Sequence, residues 1–153
     1  MPANSCISIS NSPPLIAVAI KRESKTNSVV SKSRSFSINW INYTPIKSQN
    51  IILKLSKGTS KNGLDKLKAF NIPYKLIQRI PVLIQAQAFV LCTVKGIEKT
   101  GDHDLFIASP SYAEASTDFA EDQYWRFKKY RPALYVGSIR ANPVVTIGPP
   151  HYK

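Results

Sequence analysis

Two apolar runs, the first with period-two character, meet at a turn that few residue types can make. Residues 86–97 lead through Thr100 into Gly101-Asp102-His103, and Leu105-Phe106-Ile107 follow at once. Glycine tolerates positive φ and aspartate bonds the backbone two residues on, so the tripeptide reads as the turn of a hairpin. Such a hairpin commits the chain to an antiparallel sheet in which successive side chains take opposite faces. It also sets His103, one of two histidines, at a strand junction, where an imidazole can reach outward from a rigid support. By itself the tripeptide needs no further account than local turn chemistry. A site requires matching residues elsewhere.

The remaining runs are short and mostly β-prone. Cys6-Ile7-Ser8-Ile9 alternates, Asn11-Ser12-Pro13-Pro14 is a turn, and residues 15–20 form a continuous apolar run expected to be a strand buried on both faces. A polar, basic segment (residues 21–26) leads into a short helix expected over 27–32, and Phe36-Ser37-Ile38-Asn39-Trp40 alternates as a further strand. Helices are expected over 45–55 and 64–70, with a basic glycine-containing loop at 57–63 between them. Strands are expected at 82–84, 86–97, 104–108 and 133–136, and a loop or short helix over 113–129. Short strands with small helical insertions predict a mainly β fold, a barrel, with the domain over residues 1–140 and an irregular, proline-containing tail over 141–153. Parallel α/β architecture is disfavoured because the helical segments are too few and too short.

At 153 residues and 43% hydrophobic content, one domain with a real core is expected without disulfides. Cys6 and Cys92 are the only cysteines, so no zinc-type cluster is read and no metal site is expected. With no apolar run near the ~18 residues of a membrane span and no leader pattern, the expectation is a cytoplasmic protein. The formal charge is +12, yet seven of the nine acids lie between Glu98 and Asp122. The basic body attracts anions: nucleic acid, a phosphorylated cofactor or an acidic protein.

In order, the segments PANSCISISNSPPLIAVAI (2–20), KRESKTNSVV (21–30), SFSIN (35–39), SKGTSKNGLDKLKAF (56–70), TGDHDLFIA (100–108) and RPALYVG (131–137) resemble the flavin reductase-like family. The resemblance spans about 135 residues and implies an FMN-binding split β-barrel of Greek-key type with short helical insertions. Two departures stand out. Family members carry roughly 25 more residues, about two strands and a turn, before the segment matching Met1-Pro2-Ala3-Asn4, so a barrel lacking its N-terminal strands is expected. After the Leu-Phe-Ile run the family commonly has Gly-Glu, where this chain has Ala108-Ser109.

FMN asks for donors to its phosphate, contacts along the isoalloxazine edge and a face where hydride can arrive. Lys21, Arg22, Ser24 and Thr26 precede an expected helix and match the family's phosphate region. Without the resemblance they are a solvated basic loop with a helix cap at Thr26. Asn4, Ser5, Cys6 and Ser8 match the strand bordering the isoalloxazine, and Ala17 and Ala19 have a similar role opposite. The plain alternative is a barrel strand with outward polar positions. Thr59, Ser60 and Lys61, with Lys57, lie in a loop that relatives place near the cofactor or the neighbouring subunit, and they equally suit a solvent-exposed loop. His103 becomes the candidate catalytic residue, contacting nicotinamide or flavin by positioning and stacking, since hydride transfer needs no general base. His151 receives no role, and Cys6 is read as a small buried apolar residue rather than a redox thiol.

The resemblance therefore implies an FMN-dependent, NADH- or NADPH-consuming flavin reductase-like oxidoreductase. Its acceptor would be free flavin, ferric iron or a monooxygenase component, and relatives imply a homodimer. A second reading is an FMN-binding carrier or sensor without turnover. A third is a basic β-barrel that binds nucleic acid through charge and aromatics such as Trp40, Tyr43, Tyr74, Tyr124 and Trp125. Those aromatics do not alternate with Lys or Arg along one strand, which argues against it.

Overall fold

The computed structural model describes residues 1–3, 6–43, 46–56, 65–117, 120–121 and 124–125. Among them the fold is mainly β with three short helices, as expected. Strands β1 (Cys6–Asn11) and β2 (Pro14–Lys21) form a hairpin across the Ser12-Pro13 turn. Helix α1 (Lys25–Ser33) follows, then β3 (Ser35–Ile41), α2 (Ile46–Ser56) and α3 (Lys66–Ala69). A small hairpin, β4 (Tyr74–Ile77) and β5 (Ile80–Leu83), precedes the long pair β6 (Ala86–Thr100) and β7 (His103–Ala115).

The main sheet is antiparallel with strand order β1-β2-β7-β6-β3. Strands β2 and β3 are consecutive in sequence yet separated by the β6–β7 hairpin, and α1 makes the Greek-key-like crossing. This helix packs its buried Val30 against Val18, Ile20, Val94 and Phe106, the core on one face of the sheet. It stops at Arg34, whose left-handed backbone (φ 56) lets its N–H donate to the Val30 carbonyl at 2.9 Å. On the opposite face, Phe89 and Leu91 of β6 pack under Val82 of β5, flanked by Ile77 and Ile80. A third cluster joins Ile51 and Leu55 of α2 to Ile72 and Leu83.

Three expectations change in detail. The two-faced burial predicted for residues 15–20 holds at Ala17, Val18 and Ile20, while Leu15, Ile16 and Ala19 are half-buried. Strand β7 continues to Ala115 where a loop or short helix was expected from residue 113, because Ala113, Glu114 and Ala115 pair with Val90, Phe89 and Ala88. Backbone pairing sustains a strand there although its side chains are exposed. The β4–β5 hairpin has no counterpart in the expected strands before residue 82; its turn residues, Gln78 and Arg79, both hold positive φ without the usual Asn or Gly. The expected strand over 133–136 and the tail over 141–153 lie outside the described residues.

Candidate functional site

The Gly101-Asp102 turn is real and tight, with Thr100 paired directly to His103. Gly101 sits at φ +50, which a β-carbon would strain, and no atom lies within 4 Å of where that carbon would be. Glycine is needed here for backbone freedom, not for space. His103 opens β7 half-buried, and its Nδ1 lies 2.7 Å from the exposed Asp102 carboxylate. That contact holds the Asp102 carboxyl below the usual range. The histidine carbonyl is fixed as well: Thr100 Oγ1 donates to it at 3.2 Å.

On the neighbouring strand Lys21 lies opposite His103, Ala19 opposite Leu105 and Ala17 opposite Ile107. Directly paired residues share a face, so Lys21, Ala19 and Ala17 line the His103 side of the sheet. Cys6 and Ser8 pair with Val18 and Ile16 and therefore share the opposite, α1-covered face. The residues expected to border one ring are thus divided between the two faces of the sheet. Asn4, Ser5, Thr59, Ser60 and Lys61 lie outside the described residues.

The loop from β2 into α1 is built as a helix start. Ser24 has extended backbone and its hydroxyl accepts the Asn27 N–H at 3.1 Å, an N-cap. No acidic residue occupies the first turn of α1. Lys21 and Lys25 are exposed, and Ser24 and Thr26 half-buried, at the positive end of the helix dipole. Arg22 behaves differently from its neighbours. Its backbone N–H donates to the Asp102 carbonyl at 2.9 Å, its Nε to Asp104 Oδ1 at 3.0 Å and its Nη2 to the His103 carbonyl at 3.3 Å. The side chain expected to face a phosphate is turned back onto the hairpin.

Two residues at this end were not singled out from the sequence. Asp104 is only 8% exposed and Asn27 only 6%. Asn27 Nδ2 donates to Asp104 Oδ2 at 2.8 Å and reaches the Ile20 carbonyl at 3.3 Å. Asn27, and then Arg22, hold the Asp104 carboxyl below its ordinary range against the opposing effect of desolvation. Asp104 carried a signal in the sequence: it is an acid at an inward position of an otherwise apolar strand. Asn27 carried none, because an asparagine near a helix start usually caps it.

Both cysteines are free, and burial raises both thiols, Cys92 to about 12. That is the environment of an inert packing residue, not of a redox thiolate. At the far end of β6 and β7, Lys75, Phe89 and Glu114 edge a recess of about 190 Å³ that His103 does not line. No helix among the described residues is long and apolar enough to cross a membrane.

A helix start and a histidine are thus tied together at one end of the antiparallel sheet. The chain belongs to the flavin reductase-like domain family, whose model matches residues 1–134. It is 24% identical over 132 residues to the reductase component of a 4-nitrophenol 4-monooxygenase/4-nitrocatechol 2-monooxygenase of Rhodococcus opacus, covering 84% of this chain and 66% of that protein. An uncharacterized protein of Aeropyrum pernix is 27% identical over 128 residues, covering 84% of this chain and 48% of that one. The chain thus spans about half to two thirds of the curated relatives it matches. Among solved structures, the FMN-binding protein of Thermus thermophilus superposes with a TM-score of 0.69 at 24% identity, covering 86% of this chain and 67% of that one. The NADH:FAD oxidoreductase of Streptomyces globisporus gives 0.64 at 19% identity, covering 74% and 65%. At such identities the shared property is the fold, the split β-barrel.

Proposed function

We propose that the protein is an FMN-binding oxidoreductase that takes hydride from a reduced nicotinamide dinucleotide. FMN, when bound, supplies the two-electron acceptor that amino-acid side chains lack. The observation that carries this reading is the placement of the α1 start and His103 at one end of the sheet, joined through Arg22 and Asp104. The residues present fit a phosphorylated flavin. Ser24 uses its oxygen to accept from Asn27, which leaves its O–H as a donor, and Thr26, Lys21 and Lys25 add a hydroxyl and two cations. The first helical turn holds no acid of its own, while the exposed Glu23 precedes the cap and the Asp104 carboxylate is taken up by Asn27 and Arg22.

In this scheme Ser24, Thr26 and Lys21 hold the phosphate, with Lys25 beside them. Ala19, half-buried on the His103 side, gives a flat ring close approach to the strand. His103 positions the nicotinamide, its ring orientation set by Asp102. Arg22 organises the loop rather than serving the phosphate directly. Asn4, Ser5, Cys6, Ser8, Thr59, Ser60 and Lys61 remain proposed cofactor contacts by family resemblance alone. The donor is NADH or NADPH, and the acceptor is free flavin, ferric iron or a monooxygenase component. Kinship to the Rhodococcus reductase component supports the last. A cytoplasmic homodimer is the proposed working form.

A second reading, an FMN-binding protein without nicotinamide turnover, is favoured by the likeness to the Thermus FMN-binding protein. One experiment separates the two. Purified protein is titrated with FMN in the visible range, then given NADH or NADPH without oxygen. Binding followed by bleaching of the flavin is expected. Binding without bleaching favours the second reading, and absence of binding overturns both.

A further inference from the structure

We propose that Asp104 is a positioning residue that fixes the spacing between the phosphate-holding start of α1 and the hairpin tip that carries His103. The proposal rests on the flavin reading above and adds to it a residue outside the expected contacts. Asp104 and His103 are adjacent on β7, so their side chains leave opposite faces of the sheet. His103 faces the Lys21 side, while Asp104 shares the α1-covered face with Ile20 and Phe106. A carboxylate there is costly to bury unless donors meet it, and replacement by an apolar side chain is often neutral or stabilising. Its two oxygens meet two donors from different elements, Arg22 Nε of the loop after β2 at 3.0 Å and Asn27 Nδ2 of α1 at 2.8 Å.

Each donor is itself a junction. Asn27 lies in the first turn of α1, gives its N–H to the Ser24 cap and its amide to the end of β2 at Ile20. Arg22 reaches the carbonyls of Asp102 and His103, the two residues that form and follow the turn. One carboxylate therefore ties the helix start, the end of β2 and the histidine's backbone. Hydride transfer depends steeply on the approach of donor and acceptor, and a misplacement of about 1 Å can cost about a hundredfold in rate. A ligand held by its phosphate at α1 and met by His103 at the tip would feel a change in this spacing at both ends.

The test uses the full chain with Asp104→Asn, which keeps the volume, and Asp104→Ala. Dissociation constants for FMN and riboflavin are read by flavin-fluorescence quenching, and single-turnover reduction is read anaerobically at saturating FMN. The wild-type protein is expected to prefer FMN to riboflavin by about tenfold or more, from its charge-assisted phosphate contacts. Asp104→Asn is expected to lower that preference about fivefold, leave riboflavin affinity within about twofold and slow reduction about tenfold. Asn27→Ala should repeat the pattern, and the double variant should add little, because the two residues act as one unit. If Asp104→Ala does not fold, the Asn and Asn27→Ala variants carry the result. A lowered Tm with unchanged flavin preference and unchanged reduction would overturn the positioning role and leave the flavin reading standing, as would equal weakening of both flavins. A wild-type protein that binds neither flavin, or both equally, would overturn the phosphate-anchored reading and this inference with it.

Discussion

Two of the hairpins among the described residues, those turning at Gly101-Asp102 and at Gln78-Arg79, are held by different means. At Gly101-Asp102 the turn uses glycine at φ +50, and polar bonds from Arg22, Thr100 and Asn27 surround it. At Gln78-Arg79 the turn has positive φ of 50 and 66 at ordinary residues, and beneath it lie Val82, Phe89, Leu91, Ile77 and Ile80. The first hairpin has good local chemistry and a directional tertiary network. The second has poor local chemistry at its turn, where apolar burial compensates. Polar bonds tie its far strand to β3, from Ser37 Oγ to the Pro81 carbonyl and from the Leu83 N–H to Asn39 Oδ1. The difference teaches where specificity is needed. Hydrogen bonds fix angles and distances, which a site requires; apolar contact fixes only proximity, which a core requires.

The sharpest way to break this comparison is to remove apolar contact at the second hairpin. Leu91, fully buried, is expected to cost about 2–5 kcal/mol on Leu91→Ala in urea unfolding. FMN-over-riboflavin preference should survive wherever the variant remains folded; its collapse would show that the two ends are not independent.

Next comes Gly101→Ala, with an expected cost of about 1–2 kcal/mol, since positive φ alone opposes the new side chain. Flavin reduction should slow by more than the loss of stability explains, because His103 follows the turn, and Gly101→Asn should recover part of both. Equal stability of the Gly101→Ala variant and wild type by calorimetry would refute the strained-turn account.

A smaller effect of the opposite sign is expected from Arg79→Gly, which relieves positive φ at the other turn. The gain is about 1 kcal/mol less the entropy glycine loses on folding. A fall in Tm would mean that the Arg79 side chain contributes a contact that outweighs the strain.

The smallest effect lies on the acid limb. Asp102 and Asp104 have pKa values lowered in the folded protein, Asp102 by His103 and Asp104 chiefly by Asn27. Their stabilisation is fully present above the unfolded carboxylate value of about 3.9 and is lost as pH falls through the lower folded values. Urea midpoints of wild type and Asp104→Asn should converge as pH drops through that window. A constant gap would rule out the ionised Asp104 as the source of the difference.

How much of this was legible varies with the kind of interaction. The β6–β7 hairpin was plain, because period-two apolarity and Gly-Asp turn chemistry are both local. The α1 start was legible only to within two residues: the sequence suggests a helix from Asn27 behind a Thr26 cap, whereas it begins at Lys25 and Ser24 caps it. The β4–β5 hairpin was hidden, as Gln78 and Arg79 do not advertise positive φ. Nor does Asn39 announce that its Oδ1 accepts from the Leu83 N–H at 2.9 Å, pinning that hairpin to β3. The basic loop was read as four residues with one task, yet Arg22 has another, set by a partner 82 positions away.

By itself the sequence determined the β-rich class, the tight turn under His103, a helix following the basic loop and the family resemblance. Each depends on residues within a few positions or on their order along the chain. Only the tertiary structure decided which face each strand residue takes, that Cys6 and Ser8 part from Ala19 and His103, and that Asp104 joins the helix to the hairpin. Those follow from strand register and long-range pairing, where a shift of one residue would reverse every face.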